Sequence, residues 1–178
     1  MGTPDSREHQ LDAMNDWGGV IVQSLVRGRF DPKTTKILDV GAGWGKYRKL
    51  LPEYYMDACE VWEPYVKENK LEKLYDRVFI SDICDLIVGN YDAIIMGDVF
   101  EHIDKEDAYQ LLERLKEHCT EVFIVVPYSY PQGEVDGNPY EVHLQPDLTM
   151  FEMAVRYPQL ELIIDDDESQ KGLYCWKQ

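Results

Sequence analysis

No apolar run in the chain approaches the ~20 residues needed to span a bilayer. The longest, at 91–96 and 122–127, are strand-sized. Basic charge is also scarce: 18 Lys and Arg stand against 34 Asp and Glu, for a net charge of −16. That field repels phosphate backbones, whose binding draws on Lys and Arg, so nucleic acid is not expected as a partner. The local basic run of Lys67, Lys70, Lys73 and Arg77 reads as a solvated helix face. No two of the four cysteines (Cys59, Cys84, Cys119, Cys175) form a CxxC pair, which argues against a structural zinc site. Three of them lie in apolar stretches and read as small core residues, so the chain is expected to be reduced and cytoplasmic. A basic-then-apolar leader, an internal repeat and a low-complexity segment are all missing from the sequence.

What is present is enough for a core. Across 178 residues, 44% are hydrophobic and 12% aromatic, which excludes disorder of the whole chain and fits one domain. Helical and strand periodicities alternate. Residues 6–28 read as an amphipathic helix weakened by Gly18-Gly19, and Asp31-Pro32-Lys33 as a turn. Strands are expected at 36–40, 56–62, 78–81, 91–97 and 121–126, with helices at 45–51, 65–75 and 105–118 between them. The polar Gly/Pro/Tyr-rich stretch 128–146 reads as a functional or mobile loop. A helix at 147–157 and strands at 160–164 and 172–176 follow, the last two divided by an acidic turn at 165–168 that suggests an edge hairpin. The alternation implies a mainly parallel sheet with right-handed crossovers, and ligands in such sheets bind beyond the carboxyl ends of the strands.

The sharpest motif is Ile37-Leu38-Asp39-Val40-Gly41-Ala42-Gly43-Trp44-Gly45, a buried strand running into three glycines and a helix. Glycine permits the tight turn and lets a ligand approach the backbone. A phosphate-binding P-loop is excluded, because Tyr47 follows Gly45-Lys46 and Val40 occupies the first glycine position. The dinucleotide fingerprint GxGxxG fits poorly, because Lys46 stands where its third glycine belongs. The GxGxG loop, Glu63 in Val61-Trp62-Glu63-Pro64, Ser81-Asp82-Ile83, and the stretch from Tyr91 through Asp98-Val99-Phe100-Glu101-His102 to Ile103 occur in order across roughly residues 35–127. In that order they resemble the class I S-adenosylmethionine-dependent methyltransferases.

The resemblance implies an α/β fold: a Rossmann-like three-layer sandwich on a seven-stranded, mostly parallel sheet with an antiparallel C-terminal hairpin strand. It implies S-adenosylmethionine as cofactor. Asp39, Gly41, Ala42, Gly43 and Gly45 would position its methionine portion, and Glu63 would accept both ribose hydroxyls. Asp82 and Ile83 would hold the adenine, with Asp98 and Val99 near the methionine end and the acceptor. The activity implied is methyl transfer (EC 2.1.1.-) to an oxygen or nitrogen of a small-molecule acceptor. The alternative is a noncatalytic adenosyl-ligand-binding or interaction module on the same fold.

The cofactor motif does not name a general base. His143 and Asp98 are the catalytic candidates, His143 as base or acceptor contact, since an imidazole titrates near neutrality. Asp98, Glu101, His102 and His143 supply two carboxylates and two imidazoles. This set is similar to the metal-holding one of small-RNA 2′-hydroxyl methyltransferases, with Asp in place of the first Glu. The same string occurs in metal-free relatives, so a metal is left open. Tyr128, Tyr130 and Tyr140 could line an acceptor pocket. The expected organisation is a single domain over 1–178: a helical lid at 1–34, a cofactor-binding core at 35–127, an acceptor-side loop at 128–146, and a C-terminal helix and hairpin at 147–178.

Overall fold

A computed structural model describes residues 17–178. Seven strands form one sheet: β1 (Lys36–Val40), β2 (Tyr55–Glu60), β3 (Arg77–Ile80), β4 (Tyr91–Gly97), β5 (Cys119–Pro127), β6 (Glu161–Asp166) and β7 (Lys171–Lys177). Their order is β3-β2-β1-β4-β5-β7-β6. The first five are parallel, and β7 enters antiparallel between β5 and β6. The helices are α1 (Trp17–Arg29), α2 (Lys46–Leu50), α3 (Glu63–Glu68), α4 (Leu71–Leu74), α5 (Lys105–Leu115) and α6 (Met150–Arg156). Among the described residues no helix is long and apolar enough to cross a membrane.

The central strands are buried on both faces, which is why β1, β4 and β5 read as nearly continuous apolar runs. Two buried clusters flank the sheet. One gathers Ile94, Met96 and Ile124 with Leu111, Leu112 and Leu115 of α5. The other gathers Ile95, Phe123 and Val125 with Val22 and Val26 of α1. Asp104 caps α5 by accepting the Glu106 amide at 3.0 Å, so the helix starts where the apolar stripe begins.

Two expectations are corrected. The helix expected at 65–75 is two short ones, broken where Lys70 takes a left-handed conformation (φ 54°). Gly18-Gly19 does not weaken α1 but lets it dock. A Cβ on Gly18 would sit 2.8 Å from Val125 Cγ1, and one on Gly19 3.1 Å from Leu50 Cδ1. The lid expected at 1–34 falls partly at 1–16, outside the described residues. Its described part, α1, is packed on β5 and α2 and lines none of the cavities described below. Strands β1 and β4 keep their expected bounds, the other strand boundaries move by one or two residues, and the hairpin expected at the sheet edge is β6–β7.

Candidate functional site

The carboxyl ends of β1, β2, β3 and β4 converge on one cleft. Its walls include Gly41 and Gly43 from the glycine loop, Glu60 from β2, Asp82 and Ile83 after β3, and Asp98 and Val99 after β4. The loop is shaped by its glycines, with φ of 66° at Gly41, 49° at Gly43 and 81° at Gly45. Gly41 has a second reason: a Cβ there would lie 2.3 Å from Val99 Cγ2. The turn is tied to β2 by Gly41 N–H donating to the Cys59 carbonyl at 2.8 Å. Gly45 lies behind the loop at the start of α2, against Leu74, and does not face the cleft.

The acidic residue that β2 delivers to this cleft is Glu60. Its carboxylate is buried and accepts the Gly43 amide and the Trp62 amide, each at 2.9 Å. Burial raises its carboxyl above the ordinary range, and the two backbone donors oppose that. Glu63 is placed differently from the expectation. It opens α3, points into solvent, and pairs with Lys67 at 2.7 Å one turn on. The strand ends three residues before Glu63, so the side chain expected at the ribose lies outside the cleft. Asp82 and Ile83 do line it, Ile83 buried and Asp82 exposed with its carboxylate accepting the Cys84 amide.

Asp39 and Ala42 belong to an adjoining cavity with Gly41, Gly43, Lys46 and Asp98. Asp39 is buried and accepts the Tyr75 hydroxyl at 2.5 Å. Burial pushes its carboxyl up to about 7, against the opposing pull of Tyr75 and Lys46. Asp98 closes β4 in a left-handed conformation (φ 58°). Burial alone would raise its carboxyl. Lys46 at 3.3 Å and Lys171 at 2.8 Å outweigh that and hold it below the ordinary value.

A third cavity, of about 370 Å³, also has Asp98 in its wall and is within the size of small-molecule sites. Glu101, His102, Tyr130, Gln132, Glu141, His143 and Lys171 line it with Asp98. The loop at 128–146 forms its roof and is tied down by side chains. Gln145 donates from Nε2 to the Phe100 and Ile103 carbonyls at 3.2 and 3.1 Å, and accepts from the Tyr157 hydroxyl at 2.8 Å. Glu141 accepts from Tyr65 at 3.1 Å, which joins the loop to the cofactor-side cleft. Asn138, Tyr140 and Glu141 reach that cleft as well. Tyr130 lines the third cavity, but Tyr128 packs its hydroxyl against Tyr174 at 2.6 Å instead.

Within this cavity, Glu101, His102 and His143 come together. The two rings meet edge to face at 4.5 Å. His102 Nδ1 bonds the Val142 carbonyl at 3.2 Å and His143 Nδ1 the Tyr130 carbonyl at 2.5 Å. Burial, followed by the nearby His143 ring, lowers the His102 imidazole, and burial followed by Asp98 raises the Glu101 carboxyl well up. Asp98 is not part of this cluster, being engaged by its two lysines.

Glu60, Glu141, Tyr65, Lys46 and Lys171 escaped the sequence reading. Glu60 was within reach, as the last acidic residue of an apolar strand. The two lysines come from 52 residues before Asp98 and 73 residues after it, and no spacing rule links them.

No family model and no curated protein sequence matches the chain. Solved structures do. An S-adenosylmethionine-dependent methyltransferase from Clostridium acetobutylicum superposes with a TM-score of 0.69 at 15% identity, over 92% of this chain and 91% of its own. The fold is that of the class I methyltransferases. Magnesium protoporphyrin IX methyltransferase from Synechocystis, solved with S-adenosylhomocysteine bound, also gives 0.69, at 12% identity over 98% of this chain and 88% of its own. For a candidate O-methyltransferase from Nostoc punctiforme the values are 0.64, 15% and 94%, and this chain spans only 58% of that protein's length. At these identities the class I likeness is one of fold, and the arrangement of side chains is this chain's own.

Proposed function

We propose that the chain is an S-adenosylmethionine-dependent methyltransferase acting on an oxygen or nitrogen of a small-molecule acceptor. The observation that carries this reading is the Glu60 carboxylate. It is buried at the end of β2, fixed by two backbone amides, and faces a cleft whose other walls are the glycine loop and Asp82-Ile83. A carboxylate oriented in this way has lone pairs left for two adjacent hydroxyls, which is what a ribose presents. The adenine would lie on Ile83 beside Asp82. The methionine portion would run along Gly41, Ala42 and Gly43 toward Asp39 and Asp98. Its ammonium suits the carboxylates, and its carboxylate suits Lys46. Cofactors that had crystallised with some of the neighbours are of this chemistry.

Methyl transfer is an in-line displacement. The acceptor's lone pair forms a bond to the methyl carbon as the carbon–sulfur bond breaks and its electron pair returns to sulfur. The protein's tasks are alignment and exclusion of water. The third cavity adjoins the methionine end at Asp98 and is roofed by the 128–146 loop, so it is the place for the acceptor. His143 acts there, at the acceptor, on its Nε2 side.

Calorimetric titration with S-adenosylmethionine and S-adenosylhomocysteine tests the reading. Micromolar binding is expected, weakened more than about tenfold by Glu60→Ala and left within about twofold by Glu63→Ala. Folded, ligand-free protein that binds neither compound overturns it.

A further inference from the structure

The cluster of Glu101, His102 and His143 in the third cavity has an arrangement that hydrogen bonding does not account for. Both imidazoles face a backbone carbonyl with Nδ1, and a carbonyl can only accept. Each Nδ1 therefore carries the ring proton, and each Nε2 presents a bare lone pair. These two nitrogens lie 3.9 and 4.0 Å from Glu101 Oε1, beyond hydrogen-bond range. Glu101 is 1% exposed, and its second oxygen has no hydrogen-bond partner among the described residues. The result is two bare ring nitrogens and a buried carboxyl turned toward one another, with no hydrogen bond joining them among the described residues.

We infer that Glu101, His102 and His143 form a binding site for one divalent transition-metal cation, with Nε2 of each histidine and the Glu101 carboxylate as ligands. The three ligand atoms fall within 4.8 Å of one another. A cation with bonds of ~2.0–2.2 Å draws such atoms to separations of ~3.0–3.4 Å, a closure within reach of side-chain torsions. Two imidazoles and one carboxylate suit zinc, iron(II), cobalt(II) or manganese(II) over calcium or magnesium. The carbonyls of Val142 and Tyr130 act as outer partners that fix each ring's tautomer. Asp98 lies outside the set, so this is a three-ligand site with its remaining positions open toward Tyr130, Gln132 and Lys171.

Resting on the methyltransferase reading, the site narrows the acceptor to a hydroxyl compound. A hydroxyl bound to the cation loses its proton to solvent near neutral pH. The freed oxygen pair then attacks the methyl carbon, giving the methyl ether, the demethylated cofactor and one proton. His143 is in this account a ligand rather than the base.

The test uses chelator-stripped full chain titrated with cobalt(II), followed by visible absorption, and with zinc(II), followed by equilibrium dialysis. One equivalent is expected to bind with micromolar or tighter affinity. Glu101→Gln and His143→Asn are each expected to weaken it more than about 100-fold, while His118→Asn, at a surface histidine, leaves it unchanged. His102→Asn serves where another variant does not fold by circular dichroism. No saturable binding, or equal affinity in the ligand variants, overturns the site. S-adenosylhomocysteine titrated into the same samples separates the two readings. Metal binding without cofactor binding keeps the site and removes the methyltransferase reading, and the reverse removes the site alone.

Discussion

The glycine-loop cleft and the cavity under the 128–146 loop share Asp98, His102 and Glu141, yet they are held in shape by different means. The cleft is a product of backbone. Four parallel strands end together there, and the glycine loop turns because three glycines accept positive φ. The cavity under the loop is a product of side chains. The loop at 128–146 contains one short 3-10 turn and an isolated bridge between Val135 and Asn138, and is fastened by Gln145, Glu141 and His143. Backbone-built sites tolerate many side chains around a few obligatory glycines. Side-chain-built sites depend on each polar partner.

The largest effect is expected where the backbone rule is broken. Gly41→Ala places a Cβ 2.3 Å from Val99 Cγ2 at a φ of 66°. A loss of about 4 kcal/mol in stability is expected, with binding of S-adenosylhomocysteine reduced more than about 100-fold. Thermal unfolding and calorimetry measure the two.

Next comes a cut through the side-chain network. Gln145→Leu strips partners from the Phe100 and Ile103 carbonyls and the Tyr157 hydroxyl. About 2–4 kcal/mol of stability should go. Hydrogen exchange should rise across 130–143 while cofactor binding changes less than about threefold. Equal loss in both regions would show that the two are one cooperative unit.

Asp39 sharpens the comparison through pH. Its carboxyl titrates at about 7 in the folded chain against an ordinary value of 3.8. Between those values the folded state holds a proton that the unfolded state has released. Its contribution to stability therefore falls as pH rises from 3.8 to about 7, and is level above. Asp39→Asn should remove that slope and add roughly 2 kcal/mol at pH 8 in the ligand-free chain, read from urea unfolding at pH 5 and pH 8.

The smallest effect is the matched control. Gly137→Ala has a φ of 78°, like the loop glycines, but its Cβ would meet nothing within 4 Å. It should cost about 1 kcal/mol and leave ligand binding intact. A loss as large as that at Gly41 would mean that conformation, not close approach, governs both sites.

How much was legible follows the same division. Strands β1, β4 and β5 were readable because burial on both faces leaves an apolar run with little alternative. The glycine loop was readable because positive φ leaves few other residues to choose from. Strand ends are less well marked, since an apolar strand and the turn after it share residues. That ambiguity put Glu63 where Glu60 stands. Gly18-Gly19 looked like a helix defect because its partner, Val125, is 107 residues away. The Asp98 lysines and the loop anchors were equally hidden.

By itself, the sequence determined the order of elements, the layered α/β architecture, the edge hairpin and the turn at Gly41–Gly45. These depend on local periodicity and backbone freedom, which neighbouring residues carry. Only the tertiary structure decided which acid faces the cleft, that α1 is a packed layer, that Asp98 is held by two distant lysines, and that Glu101, His102 and His143 meet. Those depend on contacts closed across long stretches of chain, where the distance between two side chains is set by the sheet and not by their separation in sequence.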